Sequence, residues 1–193
     1  MRALAEAPIF SSTNNQDSLK LPKTLKVTHV STIFLIVICD VLNVSQISAN
    51  FQHFVAYSTG SSSIVLLGKT ETTADTQPNI IPELQNKSVI SVVIGDYHNA
   101  ALTAEGKLFT WGAYSCGALG LGDPAHIKPG VPGGFASQQT YQTAMTRRRG
   151  TPPDVERPTE VRFDHERSIK KGFCFAVTAA GWHTGALVID LEV

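Results

Sequence analysis

One pattern occurs three times in this chain and constrains its fold more than any other feature. An aromatic or polar pair is followed by His and then by an apolar run. The copies are Asn50-Phe51-Gln52-His53-Phe54-Val55-Ala56-Tyr57, Gly95-Asp96-Tyr97-His98-Asn99-Ala100-Ala101-Leu102 and Gly181-Trp182-His183-Thr184-Gly185-Ala186-Leu187-Val188. A repeat of this length is read before any local element, because stacked repeats share one architecture and bury their faces against each other. The first two histidines are 45 residues apart and the last two 85, so the second unit carries an insertion of about 40 residues. Pro78, Leu84 and the apolar stretch 89–94 precede the second copy. Pro158, Val161 and 173–177 precede the third. The insertion therefore falls between Gly122 and Pro158, and its bounds are taken as 123–157.

The middle unit shows what one repeat contains. Residues 89–94, 100–103 and 108–111 read as short strands rich in β-branched and aromatic residues. Ala104-Glu105-Gly106-Lys107 joins two of them, with Gly106 where a short hairpin loop needs positive φ. Three or four antiparallel strands per 45-residue period are the sequence signature of a propeller blade. The fold class expected is all-β: a partial β-propeller of two to three incomplete blades over 46–193, with an irregular N-terminal segment over 1–45 and the long inserted loop. Within 1–45, the polar run 11–17 reads as loop and the apolar run 33–38 as a buried strand.

At this point the residues resemble a known family. Gly95-Asp96-Tyr97-His98-Asn99-Ala100-Ala101-Leu102-Thr103, Glu105-Gly106-Lys107-Leu108-Phe109-Thr110-Trp111-Gly112 and Gly117-Ala118-Leu119-Gly120-Leu121-Gly122 together look like one whole repeat of the regulator of chromosome condensation type. The structural repeat positions are Gly95, His98, Gly106, Trp111, Gly112, Gly117, Gly120 and Gly122, with Gly181 and His183 in the third unit. The first unit departs from the pattern, with Asn50 for the first glycine and Leu67-Gly68 for Trp-Gly. The third unit stops soon after its second strand. The chain is thus expected to be a truncated form of a longer propeller, marginally stable alone, whose first 45 residues are foreign to the ring. Residues 117–124 and 129–135 look most like fungal F-box proteins that carry such a propeller.

Charge and cysteine usage narrow the partners. Sixteen basic and sixteen acidic side chains cancel, so no net field draws the chain to nucleic acid or to a membrane surface. Cys39, Cys116 and Cys174 are odd in number and lack CxxC spacing, against a disulfide framework or structural zinc, and Cys116 and Cys174 read as packing residues. Neither a signal peptide nor a membrane anchor is read at the start, and an intracellular location, in cytoplasm or nucleus, is expected.

The chemistry-bearing residue types have plain structural readings. His53, His98 and His183 hold one position in successive units, so they are expected apart around the ring in a packing role. Asp96, His98 and Ser115 include triad residue types, but residues 112–117 are one residue too long for a nucleophile elbow. Gly117, Gly120 and Gly122 invert the dinucleotide fingerprint and lack a following Lys-Ser or Lys-Thr, so they are expected to serve turns. No catalytic residue, cofactor or metal is expected. Arg147, Arg148 and Arg149, in the insertion, are a candidate partner-binding loop, because long loops on a rigid scaffold commonly carry recognition.

The resemblance implies a protein-interaction module and no enzyme. Its narrower form implies the substrate-recognition part of a Skp, cullin and F-box ubiquitin ligase, with a Skp-type adaptor complex and a ubiquitination substrate as partners. Leu21-Pro22-Lys23-Thr24-Leu25 is similar to the start of an F-box, but the residues after it do not continue the pattern. The alternatives are guanine-nucleotide exchange on a small GTPase and a generic scaffold.

Overall fold

The computed structural model describes residues 44–69, 79–114, 117–147, 150–163 and 171–192. Among these described residues, ten strands fall in three antiparallel sheets. The first sheet runs β1 (Gln46–Ala49), β2 (His53–Tyr57), β3 (Val65–Lys69) and β4 (Asn79–Ile80) in consecutive order. The second runs β5 (Val89–Ile94), β6 (His98–Thr103), β7 (Leu108–Gly112) and β8 (Val155–Glu160), and the third pairs β9 (Gly172–Ala180) with β10 (His183–Asp190). Each four-stranded sheet is an up-and-down meander, the architecture of a propeller blade. Neighbouring sheets meet through their first two strands, β1 and β2 against β5, and β5 and β6 against β9, so the sheets converge on one side. The described residues form an open, partial β-propeller, as the repeat implies.

The period-two alternation of each strand decides which neighbour it buries. In the second sheet Val89, Val92, Ile94, Ala101 and Trp111 turn toward the first sheet and pack with Val55, Tyr57 and Val65. Ala100, Leu102 and Leu108 turn the other way, joining Leu119, Leu121, Val161 and Cys174 against the third sheet. Strands of this kind cannot slip by one residue, since a slip would exchange the two faces.

Three expectations change. Val44 is buried and Ser45 N donates to Tyr57 O at 3.1 Å, so the first ladder begins before residue 46. β8 starts at Val155, inside the expected insertion 123–157; its sequence Val-Glu-Arg-Pro-Thr-Glu is polar and holds Pro158, which an edge strand tolerates and a pattern search for apolar strands passes over. The insertion also contains a helix, α1 (Gln138–Arg147). Ser137 and Thr140 cap it reciprocally: Thr140 N donates to Ser137 Oγ at 3.2 Å and Ser137 N to Thr140 Oγ1 at 2.9 Å. The apolar run 33–38 and the rest of 1–43 lie outside the described residues.

Candidate protein-interaction surface

The repeat glycines and His98 build the seam where the sheets converge. Gly95 N donates to His98 O at 2.8 Å, closing the turn between β5 and β6. A Cβ on Gly95 would overlap the His98 ring, and one on Gly112 would stand 2.5 Å from Tyr97 O and 2.7 Å from His98 Cα. Gly112 also has φ +114°, so a side chain there is excluded twice over. His98 is 1% exposed, and neither ring nitrogen makes a hydrogen bond of good geometry. Burial lowers its pKa first of all, and the nearby His183 backbone and Asp96 carboxylate oppose that lowering more weakly.

This turn is also the joint between units. Asp96 N donates to Gly181 O at 2.9 Å, and the Tyr97 and Trp182 rings lie 4.7 Å apart. On the other side, Asn50 Nδ2 donates to Gly95 O at 2.7 Å. Positions 50, 95 and 181, equivalent in the repeat, are thus tied in series. Asn50 replaces glycine by a second device: its Oδ1 accepts from Gln52 N at 2.8 Å and His53 N at 2.7 Å, holding the turn with a side chain.

The histidines lie closer together than equal positions around a ring suggested, because their turns sit at the converging edge. His53 and His98 line one cleft with Asp96 and Asp154, and the His183 backbone lies near His98. Among the described residues no group of three or more His, Cys, Asp or Glu is placed to hold a metal. Ser115 and Cys116 lie outside the described residues. Cys174 is fully buried, and burial raises its thiol pKa.

The other repeat glycines act at a distance from the seam. Gly106 has φ +75° in its hairpin, a Cβ there would overlap the Phe173 ring, and its carbonyl accepts from Cys174 N at 3.0 Å. The hairpin thereby docks the third sheet, a role that the turn signal alone does not reveal. Gly117, Gly120 and Gly122 all have positive φ, and the loop they bend sends Leu119 and Leu121 into the core; Thr110 Oγ1 donates to Leu119 O at 2.7 Å.

The register corrects one alignment. His98 pairs with Gly112 and Asn99 with Trp111, but His53 pairs with Lys69 and Phe54 with Gly68. The counterpart of Trp111 is therefore Gly68 rather than Leu67. The Phe54 ring covers Gly68, supplying from β2 the aromatic bulk that Trp111 supplies from β7.

The insertion presents the surface outside this framework. Phe135 is buried, meets Tyr141 of α1 edge-on at 5.9 Å, and anchors the segment. A cleft of about 360 Å³ opens between residues 130–136 and 153–159, bordered by Val131, Phe135, Asp154 and Arg157. Arg147 is exposed at the C-terminal end of α1, while Arg148 and Arg149 lie outside the described residues. No helix of the described residues is long and apolar enough to cross a membrane.

Fold and repeat define the class: this is an open, repeat-built β-propeller segment, and its repeat is similar to that of the regulator of chromosome condensation. Residues 89–118, the second blade's core, match the family described as Regulator of chromosome condensation (RCC1) repeat. The chain is 36% identical over 122 residues to SCF-associated factor 1 of Saccharomyces cerevisiae, covering 61% of this chain and 16% of that protein. It is 26% identical over 149 residues to F-box protein pof9 of Schizosaccharomyces pombe, covering 76% of this chain and 28% of that one. The chain thus spans less than a third of either relative. The crystal structure of Prp20p from Saccharomyces cerevisiae superposes with a TM-score of 0.49 at 15% identity, covering 77% of this chain and 32% of that one.

Proposed function

We propose that this chain is a protein-recognition propeller segment of a Skp, cullin and F-box ubiquitin ligase, acting inside the cell by binding and carrying out no chemistry itself. The observation that supports it is the similarity to two fungal proteins named for that assembly, one at 36% identity over 61% of the chain. Sheet residues keep the ring, and the insertion supplies the variable surface. The partners are a Skp-type adaptor complex, reached through the longer protein, and a ubiquitination substrate bound by the propeller. The cleft between 130–136 and 153–159, with Arg147 beside it in sequence, is the surface assigned to the substrate.

The test is affinity capture from the source organism, with the longer gene product and this chain each as bait, probed for Skp-type adaptor, ubiquitin conjugates and small GTPases. Adaptor held by the longer product, and a conjugated protein held by both baits and lost on Arg147→Glu, are expected. Capture of a small GTPase that GTP releases would instead assign nucleotide exchange and overturn the ligase reading.

A further inference from the structure

Two clefts meet at one carboxylate. The first, of about 280 Å³, lies at the seam and is lined by Asn50, His53, Asp96, Tyr97, His98 and Asp154. The second, of about 360 Å³, is the insertion cleft, where Asp154 stands with Val131, Phe135, Glu156 and Arg157. Asp154 borders both, so together they make one groove from the seam to the insertion. Tyr97 is 49% exposed there although units flank it on both sides: Asn50 Nδ2 reaches Gly95 O on one side, and the Trp182 ring lies 4.7 Å away on the other. The groove is rich in acceptors and poor in positive charge. Its charged lining is Asp96, Asp154 and Glu156 against Arg157, and Arg157 Nε stands 3.7 Å from Glu83 Oε1, which balances it. Burial is the main cause that holds the pKa of both His53 and His98 below the ordinary value, so neither imidazole adds positive charge at neutral pH. His98 lines the first cleft, is 1% exposed, and has no hydrogen bond of good geometry at either ring nitrogen. Lys69, across the ladder from His53, and Lys128, in the insertion, line neither cleft.

We infer that this groove binds an extended segment of a partner protein in which arginine or lysine is interspersed with apolar residues. Carboxylates at three points along the groove match guanidinium or ammonium donors, which make the stronger, charge-assisted hydrogen bonds. A neutral His98 adds one ring-nitrogen acceptor that a donor-rich side chain can meet. The exposed Tyr97 ring offers a face to a cation, and Val131, 46% exposed beside the Phe135 wall, offers apolar contact to the residues between. An acidic segment would meet like charge at all three points, so the groove selects by sign as well as by shape. On the reading of the insertion cleft as the substrate surface, on which this rests, the groove defines the class of sequence that a substrate presents.

The experiment pans a phage library of random nonapeptides over the immobilised full chain, then titrates the recovered peptides, fluorescein-labelled, by anisotropy. Sequences rich in arginine or lysine with apolar residues between them are expected, binding one to one and weakening as salt rises from about 50 to about 500 mM. Asp96→Asn and Glu156→Gln, near-isosteric changes at the two ends of the groove, should each weaken binding roughly threefold, and together roughly tenfold. Glu105→Gln removes the same charge from the hairpin at the far end of the second sheet and should leave binding unchanged. Circular dichroism checks that the variants fold. Four results overturn the proposal: no peptide that binds saturably, as when another segment of the chain or a second copy fills the groove; recovery of acidic or uncharged sequences; an effect at only one end of the groove; or equal weakening by Glu105→Gln. Peptide binding needs no adaptor, so it can fail while adaptor capture by the longer gene product succeeds, and the reverse.

Discussion

The imidazole of His98 lies against the Cα of Gly95 so closely that a Cβ at position 95 would overlap the ring. His98 is 1% exposed, so the ring meets this backbone inside the packed seam. Gly95→Ala is therefore expected to cost about 1–3 kcal/mol, as overpacking of a filled site does. In a His98→Ala background the same change should cost much less, a coupling of about 1 kcal/mol or more for residues in contact. Urea unfolding of the four proteins of the cycle checks it; additive effects would show that the ring moves aside.

The same burial makes stability depend on pH. The native pKa of His98 lies below the ordinary 6.5, with desolvation as the main cause, and that of His53 is lowered in the same direction by burial and by the Lys69 ammonium. The unfolded chain then binds more protons than the native one between 6.5 and the lower native values. Stability is accordingly full above 6.5 and declines as pH falls through that window. His98→Leu, which removes a ring without good hydrogen bonds, should flatten most of this slope while changing stability at neutral pH by about 1 kcal/mol or less. Unfolding midpoints from neutral to mildly acidic pH are the measurement, and an unchanged slope would place the titration elsewhere.

The two tryptophans should behave oppositely. Trp111 is 5% exposed among Val55, Tyr57 and Val65, joining the first two sheets, so Trp111→Ala should cost about 3–5 kcal/mol. Trp182 is 53% exposed and touches the Tyr97 ring, so Trp182→Ala should cost about 0.5–1.5 kcal/mol. Thermal or chemical unfolding separates the two, and a comparable loss would mean that the third sheet is held by more than its described contacts.

Asn50 does two tasks that substitution can divide. Asn50→Ala removes both the turn bonds to Gln52 N and His53 N and the bridge to Gly95 O, at about 1–2 kcal/mol. Asn50→Ser keeps a short acceptor for the turn and is too short to carry the bridge, so its loss should be intermediate. Equal losses would show that only the bridge matters.

Legibility in the sequence followed the strength of the local signal. β5, β6 and β7 were readable because apolar residues dominate each and Gly95, Gly106 and Gly112 punctuate them. β4 has two residues and β8 is polar, so neither carries a strand signal, and both exist because an edge of a formed sheet offers them partners. The helix α1 had a readable start in Ser137 and Thr140, and a stretch free of glycine and proline after it, but its neighbours made the whole segment look like loop.

The candidate surface divides in the same way. The sequence by itself determined the repeat, the period and the glycines that turns require, because these depend on spacing and backbone freedom, which are local. Only the tertiary structure decided that Gly95 makes room for His98, that Gly106 receives the Phe173 ring, and that Phe54 takes over from tryptophan across the strand pair. Those relationships join residues from different strands and units, and their physical content is the shape of the space between packed sheets, which no spacing along one chain contains.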